Sequence, residues 1–358
     1  MPVKGLILAG GQGTRLRPLT YTRAKQLIPI ANKPNLFYVV EDLSKAGITD
    51  IGVIISPETG AEVQEALHDG GQFGVRFTFI QQHAPLGLAH AVKTAAAYLA
   101  DEPFVMYLGD NLLSGGIVHV VEGYRVGAQQ AILLLTPVEN PSQFGVALLD
   151  VHGRVVRLME KPKEPPSNLA LVGVYLFDPV IHEVIASLKP SERGEYEITD
   201  AIQGLIDRDY RVEAHQVRGW WKDTGKPEDL LDANRLVLAQ LARDIRGELD
   251  SSEVSGEVVI EPTARLVRSI VRGPAHIATG ALIEDSYVGP YTAIGRRARI
   301  VRSEVEYSIL LDEAEICDLP YRLDASVIGQ GVVVDGNTRG PRRHTVQLFL
   351  GDRSRVRL

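Results

Sequence analysis

Glycines and basic side chains gather near the amino terminus in an order that suits phosphate chemistry. An apolar run, Leu6-Ile7-Leu8-Ala9, stops at Gly10-Gly11-Gln12-Gly13, and Thr14 and Arg15 follow directly. A short apolar run marks a buried parallel strand. Glycines placed straight after one let the chain turn tightly and aim its N–H groups at an anion. Arg15 adds a fixed, planar cation to that loop. Lys25 stands ten residues further on, in Ala24-Lys25-Gln26-Leu27-Ile28-Pro29. The segment reads as a cradle for a nucleoside triphosphate at the carboxyl end of the first strand. Two other glycine loops are excluded. A dinucleotide fingerprint needs glycine where Leu16 stands, and a P-loop needs a Gly-Lys-Ser/Thr that is missing here.

The run Leu8-Ala9-Gly10-Gly11-x-Gly13-Thr14-Arg15-Leu16-x-Pro18-Leu19-Thr20, followed by Lys25-Gln26-Leu27-x-Pro29, resembles the signature of the sugar-1-phosphate nucleotidyltransferases. Within that superfamily it is most similar to the glucose-1-phosphate thymidylyltransferases. The resemblance implies Mg2+-dependent transfer of dTMP from dTTP to α-D-glucose 1-phosphate. The products would be dTDP-glucose and pyrophosphate, in the first step of dTDP-deoxysugar synthesis. In such a reaction the attacking phosphate is already ionised, so no strong base is needed. The difficulty is to bring two anions together and to neutralise charge on the α-phosphate and the leaving group. That calls for cations and for a metal held by carboxylates.

The resemblance distributes these roles residue by residue. Arg15 and Lys25 are the catalytic cations. Gly10, Gly11, Gly13, Thr14 and Arg15 bind the nucleotide, with Gln82 and Gly87 at its base. A side-chain amide can pair with a pyrimidine edge, and a glycine lets backbone approach it. Leu88, Asp110, Gly145, Glu160, Lys161, Val172 and Arg193 serve the sugar phosphate, and Asp110 with Asp223 holds the magnesium ion. Without the resemblance, an aspartate like Asp110 just after a strand is as often a turn residue, and the adjacent Glu160-Lys161 is an ordinary surface pair. In Arg193-Gly-Glu-Tyr-Glu197-Ile-Thr-Asp200, the acids Glu197 and Asp200 read as the start of a helix, where the dipole favours them. His90 reads as a helix residue and not as a catalyst. Phe144 and Ala24 stand where the family often shows Tyr and Ser, and each removes a hydroxyl.

The elements that must position these residues alternate. Strand patterns over 3–9, 51–55, 75–80 and 103–108 are interleaved with helix patterns over 34–46, 57–68 and 88–99. This rhythm predicts an α/β fold with a doubly wound, Rossmann-like, mainly parallel sheet. Ligands of such sheets sit at the carboxyl ends of the strands, where the glycine loop, Gln82 and Asp110 all fall. Strands follow over 131–138, 146–149, 155–159 and 171–177. Helices are predicted over 179–188 and 198–208, a strand over 212–217 and a long helix over 227–243. After this, apolar residues recur near a six-residue step at Ile260, Leu266, Ile277, Ile283, Val288, Ile294 and Ile300. Such hexads predict a parallel β-helix, although the step is irregular over 268–274. The expected division is a catalytic domain over 1–245 and a linker over 246–257. A hexapeptide-repeat left-handed β-helix over 258–317, of roughly three coils, and a cap over 318–358 complete it. The hexads and Gly351-Asp-Arg-Ser-Arg355 resemble the long form of the family. All matched site residues precede Lys226, so the solenoid is expected to serve assembly, stability or regulation. The basic run Gly340-Pro-Arg-Arg-His344 reads as a solvated part of the cap.

With 358 residues, 45% of them apolar and 23% charged, the composition is that of a globular protein of two domains. A net charge of −7 argues against a nucleic-acid surface. The single cysteine, Cys317, excludes an intrachain disulfide or a cysteine-based zinc site. No apolar run reaches the ~20 residues that span a bilayer. A cytoplasmic homo-oligomer acting on small molecules, without nucleic-acid or membrane partners, is the expectation. Three other readings are weaker. A UTP-dependent uridylyltransferase would need only one methyl group read differently. An acyltransferase on the solenoid would have His276 as its only histidine in the hexads. A non-catalytic scaffold would be expected to have lost the charged residues that are present here.

Overall fold

Leu6 and Ile7 are fully buried because their strand, Lys4–Leu8, lies at the centre of a sheet. It pairs in parallel with Asp50–Ile55 on one side and Phe104–Leu108 on the other, and Asp50–Ile55 pairs in parallel with Arg76–Gln81. These four strands are the doubly wound half that the alternating pattern predicts. Beyond Phe104–Leu108 the sheet turns antiparallel, through Leu169–Phe177, Gly145–Leu149 and Val155–Glu160. Ala131–Pro137 also pairs antiparallel with Leu169–Phe177, and Val212–Gln216 joins it in parallel, making nine strands among the described residues. The computed structural model describes residues 3–124, 128–336 and 345–357.

The predicted helices form with trimmed ends, as Asn35–Lys45, Gly60–Leu67, Ile181–Ser187, Ile198–Ile206 and Pro227–Leu238. The pattern over 88–99 divides into Leu88–Thr94 and Ala96–Leu99. Thr94 Oγ1 donates to the His90 carbonyl at 2.9 Å, a back-bond of the kind that bends a helix. Among the described residues no helix is long and apolar enough to cross a membrane.

The chain divides into two compact units. One is Met1–Gln12 with Asn35–Asp223, and the other is Gly13–Pro34 with Thr224–Leu358. This departs from the boundary expected near residue 245. Within the second unit, Ala31 N donates to Asn234 Oδ1 at 2.9 Å, and Asn234 Nδ2 donates to the Tyr291 carbonyl at 3.0 Å. The fully buried Asn234 thus ties the hairpin Pro29–Ile30/Lys33–Pro34 and the helix Pro227–Leu238 to the solenoid.

Among the described residues the solenoid has three parallel sheets of seven, seven and six strands, from Asp244–Ile245 to Arg355–Arg357. The hexad residues point inward in register. Ile260, Ile277, Ile294, Leu310 and Ile328 form one buried column, and Leu266, Ile283, Ile300, Ile316 and Val334 form a second. The third column, Val271, Val288, Val305 and Leu323, accounts for the irregular step. The coils that begin at Ile260 and Ile277 each contain one five-residue step, from Leu266 to Val271 and from Ile283 to Val288, so Ile260 to Ile277 spans 17 residues (277 − 260). Strands also occupy both the stretch expected as a linker and the described part of the stretch expected as a cap. Glu248–Asp250 pairs with Arg265–Val267, and Phe349–Leu350 pairs with Val327–Ile328. The end coils hide the repeat because terminal repeats carry atypical, more polar residues. The run 340–344 lies outside the described residues.

Candidate active site

Asp110 is placed by the end of the Phe104–Leu108 strand, where Gly109 N still bonds to the Leu8 carbonyl at 3.0 Å. Its side chain is buried. The next residues, Asn111–Leu113, pair antiparallel with Trp221–Asp223, in a register that sets Asp223 opposite Asn111. Two aspartates far apart in sequence are thereby brought to neighbouring positions. Asn111 organises the pair. Its Nδ2 donates to Asp110 Oδ1 at 3.2 Å, and its Oδ1 accepts from Trp221 Nε1 at 2.6 Å and Gly173 N at 3.2 Å. No group of three or more His, Cys, Asp or Glu that could hold a metal occurs among the described residues. A pair of carboxylates fits magnesium, which typically takes one or two of them and fills its shell with phosphate oxygens and water.

A second cluster forms where Val155–Glu160 meets Gly145–Leu149. Glu160 lies opposite Gly145, and a Cβ on Gly145 would stand 3.2 Å from Glu160 Oε2 and 2.8 Å from Leu171 and Thr199. Lys161 adopts φ 41°, with its N–H on the Phe144 carbonyl at 3.0 Å and its Nζ 3.6 Å from Glu160 Oε1. The Arg193 guanidinium lies 3.4 Å from both Glu160 and Glu197, and 3.2 Å from Glu195. Two cations and three carboxylates thus gather here, with Glu160 beside both cations, an arrangement of donors and acceptors that suits a group carrying both a phosphate and hydroxyls. Val172 is fully buried in the Leu169–Phe177 strand, whose register against Ala131–Pro137 shifts between Leu171 and Tyr175. Any ligand contact from Val172 would therefore come from its backbone. The Phe144 ring meets the Trp221 ring edge-on at 5.4 Å, joining this cluster to the carboxylate pair.

Glu197 departs from its expected role. It occupies the N-cap position of Ile198–Ile206 without making a side-chain cap bond. Its carboxylate is buried and instead accepts from Ser191 Oγ at 2.9 Å and pairs with Arg193. Burial raises its pKa, Glu160 adds to the rise, and Ser191 and Arg193 oppose it. Asp200 does stand in the first turn, as expected, and burial raises its pKa too.

Gln82 continues the edge of the sheet, its N–H on the Ile55 carbonyl at 2.9 Å. Its Nε2 lies 2.8 Å from His90 Nδ1. An amide nitrogen can only donate, so the ring nitrogen accepts and the proton sits on Nε2. Burial, and then Lys93, lowers the His90 pKa and favours this neutral ring. His90 is a helix residue, as expected, and it also orients the amide of Gln82. Gly87 has φ 102°, and a Cβ there would come within 2.5 Å of the Tyr196 carbonyl oxygen. Glycine therefore allows the backbone exchange in which Tyr196 N bonds to Leu86 O at 2.7 Å and Ala89 N to Tyr196 O at 3.1 Å. Leu88, half-buried, opens the helix Leu88–Thr94 beside it.

Gly10 and Gly11 belong to the first unit. A Cβ on Gly10 would make only ordinary contacts at 3.5 Å with Ile55 and Ser56. Gly13, Thr14, Arg15 and Lys25 belong to the second. There Gly13 is indispensable, because φ is 63° and a Cβ would press on Lys25 Cβ and Thr20 Cγ2 at 2.9 Å. Its carbonyl accepts from Thr20 Oγ1 at 2.7 Å, and Thr14 and Arg15 are exposed in the short turn Thr14–Leu16. Gln26 is fully buried, and neither polar atom of its amide has a hydrogen-bond partner among the described residues. A buried amide left unpaired costs ~1–3 kcal/mol, which points to a ligand that completes it. Gln26 and Asn111 have no role that the sequence motifs alone assign. In both the signal is an amide placed directly beside a matched charge, Lys25 or Asp110.

A family model described as Nucleotidyl transferase matches residues 4–240. The chain is 50% identical over 358 residues to a glucose-1-phosphate thymidylyltransferase of Streptomyces antibioticus, covering 99% of each chain. It is 46% identical over 357 residues to a glucose-1-phosphate thymidylyltransferase of Streptomyces griseus, again covering 99% of each. Among solved structures, UDP-glucose pyrophosphorylase complexed with UDP-glucose matches with a TM-score of 0.61 at 28% identity, covering 67% of this chain and 100% of that one.

Proposed function

The chain belongs to the nucleotidyl transferase family, and on that premise we propose that it is a glucose-1-phosphate thymidylyltransferase. It joins dTTP and α-D-glucose 1-phosphate to give dTDP-glucose and pyrophosphate. The observation that carries the reading is the strand register that sets Asp223 opposite Asn111, beside the buried Asp110. Those two carboxylates would hold Mg2+, which supplies charge neutralisation to the phosphates when bound.

The remaining work falls to the chain's own residues. Lys161 and Arg193 hold the sugar phosphate, so that one of its oxygens can attack the α-phosphorus as the bond to pyrophosphate breaks. Glu160 accepts hydrogen bonds from the sugar hydroxyls, and the backbone at Gly145 and Val172 closes around the ring, with Leu88 alongside. Arg15 and Lys25 neutralise the triphosphate and its departing half. The backbone N–H groups of Gly10, Gly11, Gly13 and Thr14 add further donors, and the Gln26 amide finds its partners on the same nucleotide. Gln82, oriented by His90, pairs with the base edge, and Gly87 lets the backbone approach it. No general base is required, because the attacking phosphate is ionised at neutral pH.

A pyrophosphate-release assay over a grid of nucleoside triphosphates and sugar 1-phosphates tests this. Release should be fastest with dTTP and glucose 1-phosphate and should be abolished by chelation of the divalent ion. No release from any pair would overturn it.

A further inference from the structure

The loop that carries Arg15 and Lys25 and the solenoid belong to the same compact unit. Three sets of contacts join them. At the hairpin tip, Asn32 Nδ2 donates to the carbonyls of His276 at 3.2 Å and Ile294 at 2.9 Å. The two ring nitrogens of His276 lie 3.0 Å from the Ala31 carbonyl oxygen and 3.0 Å from Glu261 Oε1. Glu261 is held in turn by Thr279, whose N and Oγ1 both donate to its Oε2 at 2.8 Å. Nearer the cations, Arg23 donates to Gln330 Oε1 at 2.6 Å and faces Asp352 at 3.9 Å, while Thr22 Oγ1 donates to Asp352 Oδ2 at 2.9 Å. Finally, Gly351 lies directly on Pro18. A Cβ there would stand 3.0 Å from the Pro18 carbonyl oxygen.

These anchors fall at Pro18, Thr22, Arg23, Ala31 and Asn32, on both sides of Lys25 and just after Arg15. Between them the loop is packed on itself, with Lys25 and Thr20 against Gly13. An exposed arginine on an unsupported loop loses much of the value of a preorganised cation, since catalytic charge must be fixed before the reaction. We propose that the solenoid is the seat of the triphosphate loop, with Gln330, Gly351, Asp352 and His276 as positioning residues that hold Arg15 and Lys25 in place. The solenoid, expected from the sequence to serve assembly, stability or regulation, would thereby act on the catalytic cations. The proposal also gives a role to the Gly351-Asp352 pair near the end of the chain. It rests on the assignment of Arg15 and Lys25 to the triphosphate.

The test uses the full-length chain and the variants Gln330→Ala, Gly351→Ala and Gln330→Glu. Arg268→Ala is the control, since its partners are Glu284 and Asp285 on an exposed corner of the solenoid. Three quantities are measured: the melting temperature, the rate of limited tryptic cleavage after Arg15, Arg23 and Lys25, and the KM for each substrate. Gln330→Ala and Gly351→Ala should leave melting nearly unchanged and speed cleavage about fivefold. They should raise the KM for dTTP about tenfold, with less than about a twofold change for glucose 1-phosphate. Gln330→Glu keeps an acceptor for Arg23 and should behave as wild type, as should Arg268→Ala. Wild-type cleavage and wild-type KM in both alanine variants would overturn the proposal. So would a rise in both KM values together with a fall in melting temperature. If the unmodified chain released no pyrophosphate from any pair, the functional reading would fall, and the cleavage rates alone would still decide whether the solenoid seats the loop.

Discussion

At the scale of single residues, the site depends on partners that sit beside the charged groups. Asp223→Asn keeps the shape of the side chain but removes half of the proposed carboxylate pair. Turnover should fall at least about a hundredfold, or about 2.7 kcal/mol, with an unchanged melting temperature. Steady-state kinetics with near-wild-type turnover would sink the pairing. His90 makes a pH-dependent prediction. Its pKa is lowered from the ordinary 6.5 because burial and Lys93 disfavour the charged ring. The neutral form therefore belongs to the folded state. Its contribution is complete above about pH 6.5 and is lost as pH falls through the lowered folded value. Protonation removes the acceptor that orients Gln82, so the KM for dTTP should rise on acidification more than the KM for glucose 1-phosphate. A His90→Phe variant should show a raised dTTP KM without that dependence. A wild-type profile in the variant would remove His90 from base recognition. Much of this chemistry was legible in the sequence, because the charged residues stand in compact motifs. The amides were not. Asn111, Gln26 and the Gln82–His90 contact acquire meaning only from burial and from partners across the fold, which one-dimensional spacing does not express.

At the scale of elements, the parallel half of the sheet was readable because its strands are short apolar runs separated by helical patterns. The antiparallel half was readable as strands but not as pairings, since strand order is set by long-range contacts that no local pattern fixes. The solenoid was readable where its hexads are apolar and hidden where its end coils turn polar. One internal feature escaped the hydrophobic count. Serines at one corner stack coil upon coil, with Ser269 N on Ser252 Oγ at 3.0 Å and Ser286 N on Ser269 Oγ at 3.1 Å. Ser303 N on Ser286 Oγ and Leu319 N on Ser303 Oγ, both at 3.1 Å, complete the column. Ser286→Ala leaves the Ser303 N–H buried without that acceptor, a loss of ~1–3 kcal/mol. Thermal unfolding should move down by about 2–4 °C for each kcal/mol lost, while turnover should stay at the wild-type level because the hydrogen bonds of Ser286 run only to other residues of the solenoid. An unchanged melting temperature would mean that the corner relaxes to satisfy itself.

At the scale of the whole molecule, sequence order and structural units do not coincide. The glycine loop begins in one unit, with Gly10 and Gly11, and continues in the other, with Gly13, Thr14 and Arg15. A linear reading cuts the chain once, near residue 245, because composition changes there. The structure returns residues 13–34 to the solenoid through hydrogen bonds more than two hundred residues long in sequence, such as those of Asn32 and Thr22. The family, the fold and the enzyme class follow from motifs that survive such rearrangement. Nucleotide choice does not, since dTTP and UTP differ by one methyl group, worth only ~1–3 kcal/mol of discrimination. The most direct measurement is therefore a competition. Equimolar dTTP and UTP are incubated with limiting glucose 1-phosphate, magnesium and the full-length chain, and the nucleotide sugars are separated by mass. A thymidylyltransferase should give dTDP-glucose in about tenfold or greater excess over UDP-glucose. A predominance of UDP-glucose, or the absence of both products, would contradict the account.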